Sequence, residues 1–373
     1  MSNVHLKFIN NVHVKIISDP STIMELSDHF TFYAPNYKFH PKYKQRMWDG
    51  KIRLINLLTA VCYSGLAKRI KKFCDERNYT LTFDDELLYN NISEYELNQF
   101  LDNLNLPEKY KIRDYQYDSI LKCIRSGRRT LVSPTSSGKS LMIYIMHRWY
   151  NIKSLVIVPT IGLVEQMKAD FISYGFEGKI VTSTDKLPKD NDIDCDICIT
   201  TWQSLNNGKQ KKPKEWYDQF KLVFGDEAHG CKATILVQIL SSMTECKYRF
   251  GTTGTLDGDL LNEATIEGLF GPKYQAVTTK QLMDQGHVSK LKIKCIVLKY
   301  NEQECKDQVK KTYNEEIEFL CNHSERNKFI TNLTLSLKGN KLLFFRRIDH
   351  GNILYEMLSK KSDHNIFYID GGV

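Results

Sequence analysis

The sequence predicts an α/β fold in which a parallel sheet with helices on both faces follows a small α+β domain. Short apolar runs alternate with helical stretches from about residue 93 onward, a pattern that is typical of parallel sheets. Two alternating runs near the N-terminus, residues 4–9 and 12–17, are separated by two asparagines and indicate a hairpin. A further series of apolar runs after residue 290 predicts a second lobe.

The elements of the N-terminal region follow from the same kind of pattern. After the hairpin we expect a helix at residues 21–30, with Ser21 as its N-cap. A strand is expected at residues 51–58, and an amphipathic basic helix at residues 65–78. These short elements together indicate one compact α+β domain at residues 1–90.

Six apolar runs of the central region predict strands, because each is short, apolar and bounded by polar or turn-forming residues. These runs are RTLVSP, SLVIVP, KIVTST, DICITT, LVFGDE and YRFGTT. Three later runs predict strands of the second lobe, namely LKIKCIVLKY, KLLFFRR and NIFYID. The sequence therefore divides into a first lobe at residues 91–284 and a partial second lobe at residues 285–373.

Composition and charge exclude several classes of protein. Hydrophobic residues make up 42% of the 373 residues and charged residues 26%, which is a globular rather than a disordered composition. The chain has no apolar stretch of about 18 residues and no signal-peptide core, so we expect a cytoplasmic protein without membrane contact. The net charge is +8, and residues 1–80 hold 13 Lys and Arg against 6 Asp and Glu. Almost all of the excess positive charge therefore belongs to the N-terminal region.

Aromatic and basic residues are concentrated at residues 30–53, where seven aromatic side chains and six Lys or Arg accompany one Asp. Basic groups neutralise DNA phosphates, and aromatic faces stack on bases. A small domain with a Tyr and Phe core and a solvated Lys surface accounts for this composition equally well, so composition alone leaves both interpretations open. The candidate DNA contacts in this segment are Lys42, Lys44, Arg46, Trp48 and Lys51.

The ten cysteines are scattered along the chain, as in reduced intracellular proteins. One C-x-x-C pair, Cys195 and Cys198, matches a zinc half-site or a redox pair. The alternative is a buried strand in which alternation places the two thiols on opposite faces. Because no second pair lies nearby, we expect the buried strand and no metal or redox role.

Residues 133–140 (SPTSSGKS) lie between a predicted strand and a predicted helix, which is the context that a phosphate-binding loop requires. Backbone N–H groups at a helix N-terminus can hold phosphate oxygens. We expect Lys139 to reach the β- and γ-phosphates of ATP, and Ser140 to ligate Mg²⁺. Ser133 stands where the G-x-x-x-x-G-K-[ST] pattern has its first glycine. The other candidate ATP contacts of the loop are Thr135, Ser136, Ser137 and Gly138.

Residues 226–229 (DEAH) follow the apolar run KLVFG, at the end of a predicted strand. Asp226 is expected to hold Mg²⁺, and Glu227 to orient and activate the attacking water. An acidic turn on the surface is the alternative for these residues alone. Because a phosphate loop precedes them at another strand end, the two motifs together predict an ATP hydrolase.

These motifs and their order resemble helicase superfamily 2, the ATP-driven translocases of DNA and RNA, over roughly residues 110–373. The resemblance implies RecA-like lobes and an ATP contact by the segment from Arg113 to Gln116, in which Gln116 reads the adenine edge. It also implies that His229 and the Thr253-Gly-Thr255 motif couple hydrolysis to strand contact. The DNA contacts implied for motifs Ia, Ic and IV are Pro159, Thr160, Thr200, Thr201 and Arg346.

The resemblance extends to the UvsW-type recombination helicases of phages. It rests on WDGKIRL at residues 48–54, on GLAKRIKKFCD at 65–75, on PKEW at 213–216, and on residues 270–288. It implies that the N-terminal domain binds DNA, with branched DNA, R-loops or stalled forks as substrates in recombination and replication. It further implies ATP and Mg²⁺ as cofactors and a phage protein that acts in the host cell. We predict no stable protein partner.

In this superfamily the second lobe supplies an arginine finger in motif VI, which is worth about 10³–10⁵ in rate. Neither motif V nor motif VI occurs up to residue 373, and Arg346 and Arg347 match motif IV instead. We therefore expect a C-terminally truncated chain that hydrolyses ATP poorly by itself. Two alternatives remain, a module that binds ATP and DNA without productive hydrolysis and a subunit of a restriction-type translocase.

Overall fold

The computed structural model describes residues 2–87, 91–185, 187, 193–206, 212–232, 234–256, 258–362 and 365–370. The chain divides into two compact units, Met1–Lys290 and Leu291–Val373. In the first unit, residues 2–87 form what we call the N-terminal module, and the residues from 91 to 290 form the motor lobe. Within the described part of the chain, no helix has both the length and the apolar character needed to cross a membrane.

The N-terminal module is built on a mixed sheet with the strand order β5-β2-β1-β6 and on a separate pair, β3 and β4. The strands are β1 (Asn3–Phe8), β2 (His13–Ile17), β3 (Thr31–Tyr33), β4 (Lys51–Arg53), β5 (Val61–Tyr63) and β6 (Thr80–Phe83). The helices are α1 (Pro20–His29), α2 (Pro41–Lys44) and α3 (Ala67–Glu76). The antiparallel pairing of β1 with β2 confirms the predicted hairpin, and α3 confirms the predicted basic helix.

Two predictions for this module were wrong in detail. Asp19 rather than Ser21 caps α1, because the Asp19 carboxylate accepts the backbone N–H three residues later. The strand predicted at residues 51–58 stops at Arg53. The side chain of Asn56 accepts backbone N–H groups that follow it, and this local turn bends the chain away from the ladder.

The motor lobe contains a seven-stranded parallel sheet within its described residues, and this sheet includes all six predicted strands. The strands are β7 (Arg128–Val132), β8 (Ser154–Val158), β9 (Ile180–Thr182), β10 (Ile197–Thr201), β11 (Leu222–Gly225), β12 (Tyr248–Thr253) and β13 (Lys273–Gln275). Their spatial order is β13-β7-β12-β11-β8-β10-β9. The sequence did not predict β13, because a strand of three residues is too short to show a periodicity.

Helices cover both faces of this sheet, which confirms the predicted α/β architecture. Leu155 and Ile157 of β8 join one hydrophobic cluster, whereas Val156 and Val158 join the other. The helices are α4 (Glu94–Asp102), α5 (Asp114–Ser126), α6 (Lys139–Tyr150), α7 (Ile161–Ser173), α8 (Trp202–Leu205), α9 (Lys214–Asp218), α10 (Thr234–Ser242), α11 (Leu260–Phe270) and α12 (Thr279–Asp284).

The second unit is helical in its described residues, and its three predicted strands did not form. Its helices are α13 (Glu302–Gln308), α14 (Tyr313–Asn322), α15 (Ser324–Ser336) and α16 (Ile348–Ser359). The predicted strand segments have no ladder partner in the part of the unit that the structure describes, and Val297 and Phe344 are more than four-fifths exposed there. Alternating apolar residues indicate strand propensity, but a strand forms only when a neighbour satisfies its backbone groups. The partial second lobe at residues 285–373 therefore stays a prediction.

The two cysteines of the C-x-x-C pair lie in one hydrophobic cluster rather than on opposite faces of a strand. The prediction was wrong because β10 begins only at Ile197, so that Cys195 precedes the alternating part of the segment. Burial raises the pKa of Cys195 to about 11 and raises the pKa of Cys198 as well. The thiolate is the metal ligand and the nucleophile, so these raised pKa values favour a structural role for both side chains.

Candidate nucleotide site and nucleic-acid surface

The predicted phosphate loop connects the carboxyl end of β7 to the first turn of α6. Ser136 and Gly138 adopt left-handed backbone angles, with φ of 66° and 81°. Gly138 also has a close neighbour, because a Cβ at this position would lie 2.3 Å from Nε2 of Gln116. The loop is therefore tightly turned against Gln116 of α5. It leads into the first turn of α6, and the N–H groups of a first helical turn suit a phosphate.

Side chains behind the loop hold its backbone in place. The hydroxyls of Ser133 and Ser137 are buried and lie 2.7 Å apart, which explains how a serine is accommodated at the first glycine position of the pattern. Tyr115 and Gln116 both donate to the carbonyl oxygen of Ser137, at 2.9 and 2.8 Å. Gln116 is 2% exposed, and its Oε1 accepts the backbone N–H of Arg113 at 2.9 Å. In this structure the Gln116 amide nitrogen thus supports the loop, while its oxygen closes the N-terminus of α5. An adenine contact by Gln116 remains a proposal.

Lys139 and Glu227 meet directly at the carboxyl edge of the sheet. The ammonium of Lys139 lies 3.1 Å from Oε1 of Glu227 and 3.5 Å from the carbonyl oxygen of Ser133. Glu227 has a φ of 50°, a left-handed conformation that is uncommon for a residue with a Cβ. Such backbone outliers are concentrated at functional sites, which is consistent with the role predicted for this carboxylate.

Asp226 is held at the end of β11 by a neighbouring strand. The hydroxyl of Thr252 on β12 donates to Oδ1 of Asp226 at 2.5 Å. Burial raises the pKa of this carboxyl, while the Thr252 hydrogen bond and the nearby Lys139 charge act in the opposite direction. The sequence did not single out Thr252, although it belongs to the strand YRFGTT that carries the next motif.

The structure brings the coupling residues predicted from the resemblance into one hydrogen-bonded line. Nδ1 of His229 lies 3.2 Å from Oε2 of Glu227 and 3.0 Å from Oγ1 of Thr253. The Thr253 hydroxyl donates in turn to the carbonyl oxygen of Thr255 at 2.8 Å. Because β12 adjoins β7 in the sheet, the carbonyl oxygen of Thr253 also accepts the N–H of Ser133 at 2.8 Å.

Ser140 has a partner that sequence reasoning missed. Its hydroxyl lies 2.9 Å from the phenol oxygen of Tyr174, which caps the C-terminal end of α7. Tyr174 carries no motif spacing, so no sequence signal connects it with the phosphate loop. A hydroxyl that ligates a cation through its oxygen can still donate its proton, and Tyr174 is placed to accept it.

The residues at this edge of the sheet fit a nucleoside triphosphate with a divalent cation. An ammonium and a helix N-terminus suit phosphate oxygens, while the hydroxyl of Ser140 and the carboxylate of Asp226 are oxygen ligands of the kind that Mg²⁺ prefers. Gly254 lies beside Lys139, since a Cβ there would lie 3.8 Å from the Lys139 ammonium, at ordinary van der Waals distance.

Residues 31–53 form an excursion from the N-terminal module, in which β3 and β4 pair and α2 lies between them. The side chains of Lys42, Lys44 and Arg46 are exposed, and the half-buried Trp48 donates its indole N–H to the carbonyl oxygen of Lys51 at 3.0 Å. Tyr37 stacks on Tyr33 and meets Tyr43 edge to face. The basic residues and Trp48 therefore line a surface that DNA can reach, and the aromatic rings beside them are half-buried or exposed.

The other predicted DNA contacts differ in their accessibility. Thr160 is exposed and caps α7, and Arg346 is exposed in the second unit. Thr200 and Thr201, in contrast, are 0% and 3% exposed. The Thr201 hydroxyl bonds within the cap of α8. The side chains of these two threonines are therefore buried in this structure, and their contact with DNA stays a prediction.

Comparisons with known proteins identify the family. A model described as "DNA helicase UvsW, N-terminal" matches residues 3–84, and one described as "Type III restriction enzyme, res subunit" matches residues 109–258. The ATP-dependent DNA helicase UvsW of Enterobacteria phage T4 is 32% identical over 387 aligned residues, which cover 100% of this chain and 76% of the relative. The chain belongs to the UvsW family of DNA helicases.

Further matches agree with membership of the UvsW family. The crystal structure of T4 UvsW matches with a TM-score of 0.65 at 31% identity, over 99% of this chain and 75% of that one. The DNA 3′-5′ translocase XPB2 of Sulfurisphaera tokodaii is 27% identical over 282 residues, which cover 74% of this chain and 54% of the relative. The resemblance to superfamily 2 and the predicted α/β fold are thus confirmed, and the chain is a helicase of a family that binds ATP and DNA.

Proposed function

We propose that this chain couples ATP hydrolysis to movement along DNA and acts on branched DNA or R-loops during recombination and replication restart in the host cell of a phage. The observation that carries the proposal is the line of contacts from Lys139 through Glu227 and His229 to Thr253. It connects the groups expected to bind phosphate, activate water and transmit the effect of hydrolysis. In a UvsW-family chain this network supports an ATP-driven motor.

The chemistry assigned to the site follows from its side chains. Lys139 and the loop N–H groups would bind the phosphates, and Ser140 and Asp226 would hold Mg²⁺, which supplies positive charge to the phosphate oxygens when it is bound. Glu227 would orient the attacking water and accept its proton. Because Lys139 pairs with Glu227 at 3.1 Å, a phosphate that binds Lys139 competes for the same ammonium. We propose that this competition links nucleotide binding to the release of the Glu227 carboxylate as a base.

The proposed preference for branched DNA is supported by the excursion at residues 31–53. Its exposed lysines and arginine can neutralise phosphates, and Trp48 offers an aromatic face beside them. Branch points differ from regular duplex in that their bases are more easily unstacked, and unstacked bases bind aromatic side chains. A surface that combines both features is suited to a junction.

We further propose that residues 1–373 hydrolyse ATP slowly, since this stretch contains no motif VI arginine. Such a finger is worth about 10³–10⁵ in rate. Hydrolysis is therefore best measured with the chain in excess over ATP, so that a single turnover is observed.

The experiment compares single-turnover hydrolysis without DNA, with linear duplex and with a forked DNA of the same length. We expect the forked DNA to accelerate hydrolysis most, and Lys139→Ala to abolish it. Lys168→Ala, which changes a surface lysine of α7, is the matched control and should keep the wild-type rate. Hydrolysis that survives Lys139→Ala contradicts the assigned site. Binding of ATP and DNA without any DNA-stimulated hydrolysis would instead show a binding module.

A further inference from the structure

Helix α11 lies between the N-terminal module and the strands that carry the catalytic motifs. Eight of its residues are buried, including polar residues such as Asn262 and Glu267. A surface helix shows one apolar and one polar face, whereas a helix buried on all sides is enclosed by protein. The parts of the molecule that α11 connects are therefore those that pack against its two sides.

On one side, α11 packs against the backbone of both catalytic strands. A Cβ added to Gly225, the residue before Asp226, would lie 2.5 Å from Cζ of Phe270. A Cβ added to Gly251 on β12 would lie 2.8 Å from Cδ2 of the same ring. The phenyl ring of Phe270 thus lies directly on the strands that end in the DEAH and TGT motifs. At the other end of the helix, Nδ2 of Asn262 donates to the carbonyl oxygen of His229 at 3.4 Å.

On the other side, α11 contacts the N-terminal module through backbone and through a bidentate ion pair. A Cβ on Gly65 would lie 2.1 Å from the carbonyl oxygen of Glu267, and one on Gly268 would lie 2.8 Å from the ring of Tyr63. The guanidinium of Arg69 on α3 donates to both carboxylate oxygens of Glu267, at 3.0 and 2.7 Å. The side chain of Glu267 is 7% exposed and that of Arg69 is 27% exposed. Paired N–H groups in this geometry fix orientation as well as distance.

Further contacts between module and lobe surround this ion pair. Arg128 at the start of β7 donates to the carbonyl oxygen of Asn11 at 2.9 Å and also bonds the Ser64 hydroxyl. The side chain of Asn11 donates to the carbonyl oxygen of Thr244 at 3.0 Å. Strand β3, which begins the aromatic and basic excursion, also contacts α11. The module is therefore held against α11 over several elements.

We propose that α11 transmits DNA binding on the N-terminal module to the ATP site, with Arg69 and Glu267 as positioning residues. Backbones in direct contact leave no soft side chains to absorb a displacement, and packed interiors transmit strain. A shift of the module on DNA therefore moves α11, and the Phe270 ring carries the shift to the strands of Asp226 and Thr253. This inference rests on the proposed function, since it requires that the module binds DNA and that DNA stimulates hydrolysis.

The test separates DNA binding from the stimulation of hydrolysis. Arg69→Ala is expected to leave the affinity for a labelled forked DNA and the hydrolysis without DNA unchanged, because neither the excursion nor the phosphate loop is altered. The stimulation by DNA should fall by roughly 5- to 150-fold, if it follows the usual range of coupling between binding sites. Arg69→Lys retains the charge but not the paired N–H groups, and should give an intermediate value. Lys71→Ala, on the exposed face of α3, is the matched control.

The Arg69 variants decide whether α11 transmits DNA binding to the ATP site. Full stimulation in Arg69→Ala would overturn it, and so would a joint loss of DNA affinity and stimulation, which shows only that the pair supports folding of the module. If Arg69→Ala does not fold, the same comparison of affinity and stimulation in Arg69→Lys decides the question. A wild-type chain that DNA does not stimulate would overturn the proposed function, and this inference with it, whereas failure in the Arg69 variants alone leaves the proposed function standing.

Discussion

Single side chains at the phosphate loop perform tasks that the motif does not specify. The hydroxyl of Ser133 bonds Ser137, and the amide of Gln116 bonds the Ser137 carbonyl oxygen. The sequence predicted the loop and its lysine, because residue types and strand–helix context are local features. It did not predict these internal hydrogen bonds, since they depend on how α5 approaches the loop in three dimensions.

At the residue scale, Glu227 gives the first prediction. Glu227→Gln should bind ATP at least as tightly as the wild type, because the carboxylate that competes for Lys139 is gone. It should slow single-turnover hydrolysis by about 10²–10⁴, because an amide cannot accept the proton of the attacking water. Nucleotide affinity and hydrolysis are measured on the same preparation. Glu165→Gln, which changes an exposed carboxylate of α7, is the control. A Glu227→Gln chain with wild-type hydrolysis would remove Glu227 from the mechanism.

The buried His147 on α6 gives a prediction about acid stability. Its Nδ1 lies 2.7 Å from the Ser154 hydroxyl, and burial lowers its pKa from 6.5 to about 4. The unfolded chain therefore binds this proton at a higher pH than the folded chain does. The free energy of unfolding therefore keeps the full contribution of the neutral, buried imidazole above about pH 6.5. As the pH falls from there toward 4, protonation of His147 in the unfolded chain lowers this free energy by about 1.4 kcal/mol per pH unit.

The measurement is the free energy of unfolding of the wild type and of His147→Gln at pH 7 and pH 5. From pH 7 to pH 5 the wild type should lose about 2 kcal/mol more than the variant, because only the wild type has this buried imidazole. The other titrating groups are common to both chains and cancel in the difference. Identical losses in the two chains would show that His147 is protonated as readily when folded as when unfolded.

At the scale of elements, the motor lobe was predicted more completely than the second unit. The strands β7 to β12 are short and apolar, and all of them except β9 lead into motif residues, so the apolar pattern and the motif positions agreed. The three runs predicted as strands after residue 290 have the same apolar character but no ladder partner among the described residues. Pairing depends on a neighbour that the pattern of one segment cannot reveal, and this is why the second prediction failed.

The packing of α11 on β11 gives an element-scale prediction. Gly225→Ala should lower the free energy of unfolding by about 1–3 kcal/mol, because the added methyl group meets the Phe270 ring and overpacks the core. In the Phe270→Leu background the same methyl group should cost less, since the ring edge is gone. Urea unfolding of the two single variants and the double variant measures this coupling. Strictly additive effects would contradict the contact.

At the scale of the whole molecule, the most basic region and the ATP site belong to one compact unit, Met1–Lys290. The sequence predicted the chemistry of each region separately. It could not predict that Arg69 pairs with Glu267, because these residues lie 198 positions apart and neither belongs to a recognisable motif. The sequence could not predict the burial of Thr200 and Thr201 either, because the position of a residue in a motif does not determine its exposure.

The basic excursion gives the prediction for the molecule as a DNA-binding protein. Replacing Lys42, Lys44 and Arg46 by Gln should weaken binding to all DNA sequences, and the slope of log affinity against log salt should fall by about one per lost phosphate contact. Replacing Lys71 and Lys72 on α3 is the control, because both pair with acidic residues of their own helix. An unchanged affinity and slope would support the solvated-surface interpretation of residues 30–53.

We propose that ATP hydrolysis at this site drives movement along DNA. The most direct test of this proposal is the separation of the strands of a forked DNA by the wild-type chain and by Glu227→Gln, at equal DNA occupancy and with protein in excess. We predict ATP-dependent strand separation by the wild type and none by Glu227→Gln, although both bind ATP and DNA. Strand separation that is equal in the two chains, or that proceeds without ATP, would contradict the account.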